Sequence, residues 1–189
     1  MQIVLVRHGE TEWSRSGQHT SRTDLPLIEE GRERAVLLGP LLAEWEFSLV
    51  LTSPLRRARE TCELAGYGDR AVVCEDLCEW DYGEYEGLTT PQIREQDPSW
   101  NLWTDGCPDG EQPAQVGARA DAVLERMRGV GHNGYAVAFA HGHILRVVTA
   151  RWLQMQAAAG SRFALGTGSL SVLGFERETQ VLQLWSRVP

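Results

Sequence analysis

Short apolar runs closed by turn residues recur at positions 2–6, 47–52, 71–74, 136–140, 169–175 and 181–185, and each predicts a β-strand. The first and fourth are almost wholly apolar, as strands covered on both faces are. Between these runs the spacing becomes helical. Over 54–65, Leu55, Ala58, Cys62 and Ala65 share one stripe, with Ser53 placed as N-cap and Pro54 as first helical residue. Over 111–128, Val116, Ala120, Val123 and Met127 do the same, with Asp109 and Gln112 spaced as a capping box. Residues 30–45 carry a third stripe through Ala35, Leu38, Leu42 and Trp45, which Pro40 should kink or split. Strands alternating with helices imply an α/β fold: a three-layer sandwich, its mostly parallel central sheet flanked by helices, within a single domain. The long irregular stretch is 96–110, whose Trp, Asp, Pro and Gly content marks a functional loop.

A length of 189 residues suffices for a substantial core. The formal charge of −8 argues against a nucleic-acid or anionic-membrane partner, since both require a broad basic face. A small anionic substrate is still compatible, because a few cations converging in a cleft outweigh distant negative charge. The apolar run at 3–6 ends at Arg7, too soon for a signal peptide or a membrane span, so a cytoplasmic location is expected. Cys62, Cys74, Cys78 and Cys107 form no CxxC pair and have no histidine nearby to complete a zinc set; reduced thiols are expected.

Four places carry candidate chemistry. Arg7-His8-Gly9-Glu10-Thr11 follows the first strand, and Thr52-Ser53-Pro54-Leu55-Arg56-Arg57 lies where the second turns into a helix. Glu79 sits in a loop, and Ala140-His141-Gly142-His143 follows the fourth strand. Ligands of open α/β sheets bind beyond the carboxyl ends of parallel strands, so three of these clusters can converge. Arg7 and Arg57 present planar forks that suit phosphate oxygens. A protonated His141 would add a donor, and the helix starting near Gly142 would point free backbone N–H groups the same way. Neutral His8 is a competent nucleophile toward phosphorus, and Glu79 is the candidate proton donor to the leaving alkoxide. The scheme requires no metal and no cofactor. Singly, each residue has a plainer reading: a hydrogen-bonded structural histidine, a surface arginine, a solvated acid. Their co-occurrence favours chemistry. His132 reads as turn surface, and His143 lies one residue beyond its cluster without an assigned role.

Leu5-Val6-Arg7-His8-Gly9-Glu10-Thr11 resembles the signature of the histidine phosphatase superfamily, the phosphoglycerate mutase-like group. Thr52-Ser53-Pro54-Leu55-Arg56-Arg57-Ala58 and Ala140-His141-Gly142 match its later blocks in order. The resemblance implies that His8 is the phosphorylated nucleophile, that Arg7, Arg57 and His141 complete the phosphate pocket with Ser14 and Gly142 beside them, and that Glu79 is the proton donor. Gly142 stands where some branches carry an acidic residue, which leaves Glu79 as the acid. Ile28 occupies a place where relatives often have a Thr cap, though Glu29 and Glu30 suit the dipole of the helix that follows.

Within the superfamily the alternatives are a phosphatase and a phosphoglycerate mutase-type isomerase; a non-catalytic phosphate-binding protein is a third reading. The segment 82–111 holds a single arginine, Arg94, among several acids, a poor clamp for a phosphoglycerate, so hydrolysis is favoured. Residues 13–20 and 79–87, with 100–107, resemble the sedoheptulose-bisphosphatase-like and acid-phosphatase-like branch. The expected substrate is therefore a small phosphorylated metabolite. Gln18, His19 and Thr20 are expected at the pocket mouth against its sugar part, the alternative being plain surface loop, and Trp100 and Trp103 either cap the cleft or anchor their loop on the core, the second reading being favoured. Dimers occur among proteins of this kind, so a homodimer stays open, with no interface legible in the chain.

Overall fold

The computed structural model describes all residues 1–189. Strand β1 (Gln2–Arg7) leads through a short helix α1 (Glu12–Ser16) to α2 (Glu29–Leu42). Then come β2 (Leu49–Thr52), α3 (Arg56–Leu64), β3 (Val72–Val73), α4 (Thr90–Gln96), α5 (Leu102–Asp105) and α6 (Pro113–Arg128). The chain closes with β4 (Tyr135–Ala140), α7 (Gly142–Trp152), β5 (Leu170–Glu176) and β6 (Thr179–Arg187). The six strands form one sheet in the order β3-β2-β4-β1-β5-β6. The first four in that order run parallel, and β5 and β6 add antiparallel at one edge, as the α/β reading anticipated.

Alternation along β1 explains the two cores. Ile3 and Leu5 point to one face, where α6 and α7 contribute Val116, Val123, Leu145 and Val148 to the larger cluster. Val4 and Val6 point to the other, where Leu38 and Leu42 of α2 and Cys62 of α3 cover them. Because β1 is buried on both faces, its sequence carries no polar alternation. All four cysteines are free thiols.

Several local expectations are corrected. Helix α3 starts at Arg56, with Leu55 and not Ser53 at its N-cap. The Ser53 hydroxyl accepts the Leu55 N–H at 3.3 Å and has a second partner, described below. Helix α6 is capped from Gln112, whose N–H donates to Gln115 Oε1 at 2.8 Å, so Asp109 takes no part in the box. Pro40 neither splits nor interrupts α2, because it falls in the last turn and the helix ends at Leu42. Ile28 is the N-cap of α2 and offers no side-chain acceptor, as its apolar side chain dictates. The stretch 96–110 contains the short helix α5 and is held down by Trp100, which is buried in the larger core with its indole N–H donating to the Gly106 carbonyl.

Candidate active site

The register of the parallel strands brings the strand-end clusters together. Arg7 pairs with Ala140 across β1 and β4, and Thr52 with Phe139 across β2 and β4. The next residues outward, His8, His141 and Ser53, therefore lie side by side beyond the sheet. Two backbone bonds extend the ladder there, His8 N–H to Ala140 O and Ser53 N–H to Phe139 O, each 2.9 Å. The rings of His8 and His141 are 5.1 Å apart between centroids.

A cleft of about 170 Å³ opens above this point, lined among others by Arg7, His8, Ser14, Glu79 and Gly142. His8 is buried, and its Nδ1 lies 2.7 Å from the Gly9 carbonyl. A carbonyl only accepts, so Nδ1 carries the proton and Nε2 keeps its lone pair. Burial, then the charges of Arg57 and Arg7, hold the imidazole pKa well below its ordinary value. The ring stays neutral at physiological pH.

Arg7 donates through Nη1 to the Leu165 carbonyl, whereas its Nε is buried without any hydrogen-bond partner. Buried donors are rarely left so, and one facing a cleft marks the seat of an acceptor. The guanidinium lies against the first residue of α7: a Cβ on Gly142 would stand 3.3 Å from Arg7 Cζ, so a side chain there would press on the fork. Ser14 borders the same space, its hydroxyl receiving the Thr11 N–H at 2.9 Å in the capping box of α1.

Arg57 and His141 stand beside His8. Both are buried. Arg57 donates through Nε to His141 Nδ1 at 3.1 Å, and through its terminal nitrogens to the carbonyls of Thr20, Ser21 and Thr23. His141 Nδ1 is thereby an acceptor, and its Nε2–H donates to Ser53 Oγ at 2.7 Å. This corrects the anticipated protonated His141: burial and then the neighbouring Arg57 charge keep it neutral, and both its nitrogens are spoken for. The relay Ser53–His141–Arg57 forms a rigid cationic backing behind His8 and ties down the loop that carries Thr20.

Glu79 reaches the cleft beside the start of α7. Its Oε1 accepts from the Trp80 and Ile144 N–H groups and its Oε2 from the His143 N–H, all at 2.9 Å. The carboxylate thus caps α7 from a distant loop, using donors that every helix start leaves free.

Gln18, His19 and Thr20 border the cleft as expected. Gln18 is pinned by its amide to the Gly87 carbonyl at 2.8 Å, and burial lowers the His19 pKa to about 4. Sequence reasoning missed the wall opposite. His143, left without a role, lines the cleft with Nδ1 2.6 Å from the Tyr82 hydroxyl, and Arg146 stands beside it with its guanidinium 4.4 Å over the Trp103 ring. Their signal was available: Gly142, His143 and Arg146 share one face of a helix whose start was already placed.

A family model described as the histidine phosphatase superfamily (branch 1) matches residues 3–188. The chain belongs to that superfamily. This histidine phosphatase is 46% identical over 182 residues to an acid phosphatase of Mycobacterium tuberculosis (strain ATCC 25618 / H37Rv), spanning 95% of this chain and 89% of the relative. It is 37% identical over 179 residues to a sedoheptulose 1,7-bisphosphatase of Saccharomyces cerevisiae (strain ATCC 204508 / S288c), spanning 79% and 66%. The solved structure of the open reading frame Rv3214 product from Mycobacterium tuberculosis superposes with a TM-score of 0.94 at 44% identity, covering 99% of this chain and 97% of that one. The chain is accordingly a phosphatase of this superfamily. No helix of it is long and apolar enough to cross a membrane.

Proposed function

We propose that the enzyme hydrolyses a small sugar-type phosphate monoester through a phosphohistidine on His8. The observation that carries this reading is the His8 ring, whose Nδ1–H is spent on the Gly9 carbonyl so that Nε2 is left bare in a cleft holding the unpartnered Nε of Arg7. In the first step Nε2 forms the N–P bond as the ester P–O bond breaks, and Glu79 passes a proton to the departing alkoxide oxygen. In the second, water attacks phosphorus, Glu79 takes its proton, and the N–P bond breaks to return neutral His8 and inorganic phosphate. Arg7, the N–H of Gly142 and the hydroxyl of Ser14 bind the transferring oxygens. Arg57 and His141 act from behind, as fixed positive charge and as a brace for His8. No step uses a metal ion.

The names of the similar proteins support a sugar phosphate as substrate, and residues 18–20 with the Tyr82–His143 pair supply polar contacts for its hydroxyls. Small phosphorylated metabolites are held in the cytoplasm, and the enzyme is placed there by the same reading. A panel of sugar phosphates assayed for released inorganic phosphate, with chelator present, tests the proposal. Release that persists with chelator is expected. Phosphate exchange on a primed phosphoglycerate without release would instead show a mutase.

A further inference from the structure

Glu79 is gripped twice. Its carboxylate is held by the start of α7, and the backbone that carries it is held by α6. Residues 78–82 belong to no helix or strand, so their place depends on what ties them down. Arg119, in the second turn of α6, donates through Nη1 to the carbonyls of Asp76 and Cys78, each at 2.8 Å. Its Nη2 points at the Glu79 carbonyl, 3.4 Å away. Nε and Nη2 also meet the two carboxylate oxygens of Glu111 side by side, both at 2.7 Å. All five N–H groups of the guanidinium are thereby spent.

Glu111 holds the other side of the acid. Its Oε2 accepts the Asp81 N–H, its own N–H donates to the Asp81 carbonyl, and its carbonyl accepts the Trp80 indole N–H, each at 2.9 Å. The preceding glycine permits this approach, since a Cβ on Gly110 would stand 2.3 Å from the Asp81 carbonyl oxygen.

A loop can be tied to a helix by neutral donors, so the ion pair asks for a reason. Arg119 stands on a helix fixed in the larger core by Val116, Ala120 and Val123, and that helix packs on α7. One helix therefore sets the backbone of Glu79 and its neighbour sets the carboxylate. Glu111 cancels the arginine's charge, so the acid is placed without a net charge set beside it. Proton transfer to a departing oxygen depends steeply on geometry, and a donor carboxyl needs its backbone fixed as well as its oxygens. Arg119 and Glu111 border a hollow of about 260 Å³ that shares Glu79 with the cleft, and through Glu79 they can act on the chemistry.

We propose that the Arg119–Glu111 pair is the positioning device of the general acid, fixing the Glu79 backbone so that its carboxyl meets the leaving-group oxygen. This rests on the phosphatase reading of the site, with Glu79 as proton donor, and adds two positioning residues to it.

The test measures kcat/KM, which reports the steps up to P–O cleavage, for a sugar phosphate and for an aryl phosphate whose leaving group needs no proton. Arg119→Ala should lower the sugar phosphate value by about 10- to 100-fold, through kcat, and the aryl value by about threefold or less. Made in the Glu79→Gln background, the same substitution should cost about threefold or less with either substrate, because the group it positions is already gone. Where the alanine variant fails to fold, Arg119→Lys and Glu111→Gln carry the same measurement. Lysine keeps the charge without the planar fork, and each variant should lower the sugar-to-aryl ratio by about threefold or more. A merely structural arginine predicts equal losses with both substrates and an undiminished cost in the Glu79→Gln background. Either result, or an unmoved ratio in both substitute variants, overturns the inference while leaving phosphate release intact. Equal slowing of both substrates by Glu79→Gln itself, or no phosphate release from any ester, would instead overturn the reading of the site, and this inference with it.

Discussion

The floor of the cleft and its outer wall are made in different ways. On the floor, His8, His141 and Ser53 follow directly from strand ends, Arg57 joins them from the first turn of α3, and the four are locked to one another and to backbone carbonyls. On the wall, Tyr82 comes from a loop and His143 and Arg146 from the first turns of α7, with Trp103 of α5 against Arg146, whose Nη1 makes no hydrogen bond. A floor that is rigid before substrate arrives suits a step whose demand is the same for every ester, namely the placing of charge around one phosphorus. A wall that is partly unsatisfied suits recognition, where the substrate supplies the missing partners. Glu79 is the seam between them, anchored by the N-terminus of α7 and lining the cleft.

The comparison breaks most visibly at His8. His8→Ala should lower turnover of every ester by about 10⁴-fold or more, as loss of a covalent nucleophile does elsewhere. Circular dichroism should show the fold retained. Comparable activity in that variant would mean that the floor does no chemistry. Glu79→Gln is expected to cost about 10²- to 10⁴-fold with sugar phosphates, and clearly less with an aryl phosphate whose leaving group needs no proton. Equal losses with both would assign the proton to another residue.

Stability against pH tests how tightly the histidines of both regions are enclosed. Burial lowers the pKa of His8, His19, His141 and His143 below 6.5, to about 4 for His19. Below the unfolded value of 6.5 the unfolded chain takes up protons that the folded chain refuses, so stability is lost as pH falls from there toward 4. Above 6.5 these groups add no slope. A melting temperature that stays level between pH 6.5 and 4.5 would contradict the enclosure. The smallest expected effect lies behind the floor. Ser53→Ala strands the His141 N–H in a buried place and should cost about 1–3 kcal/mol in denaturant unfolding. A change under about 0.5 kcal/mol would show the Ser53–His141 bond to be idle.

The same division decides what could be read from the chain alone. The floor was legible because His8, Ser53 and His141 directly follow apolar runs, and parallel register carries such neighbours together. The sheet was legible for the same reason, down to the doubly buried β1. The state of His141 was not, since its neutrality depends on Ser53 and Arg57, which lie 88 and 84 residues away. Ser53 itself was read as a helix cap because serine before proline is a cap by local rules. Its hydroxyl keeps one local bond, from the Leu55 N–H, and its closer partner, His141, is one that only the fold supplies. Arg146 went unnoticed because its neighbours in space, Trp103 and Gly160, lie on segments with no regular pattern. Pro40 misled in the other direction, since it lies two residues from the end of α2 and leaves almost no helix beyond it to be kinked or split off.

In the proposed mechanism the lone pair on His8 Nε2 accepts the phosphoryl group. Rapid quenching of the enzyme with a ³²P-labelled sugar phosphate, followed by peptide mapping, measures this directly. Acid-labile, alkali-stable label is expected on the peptide containing His8, formed and lost at rates that match turnover. Label on another residue, or steady hydrolysis with no labelled protein under conditions where water attack is slowed, would contradict it.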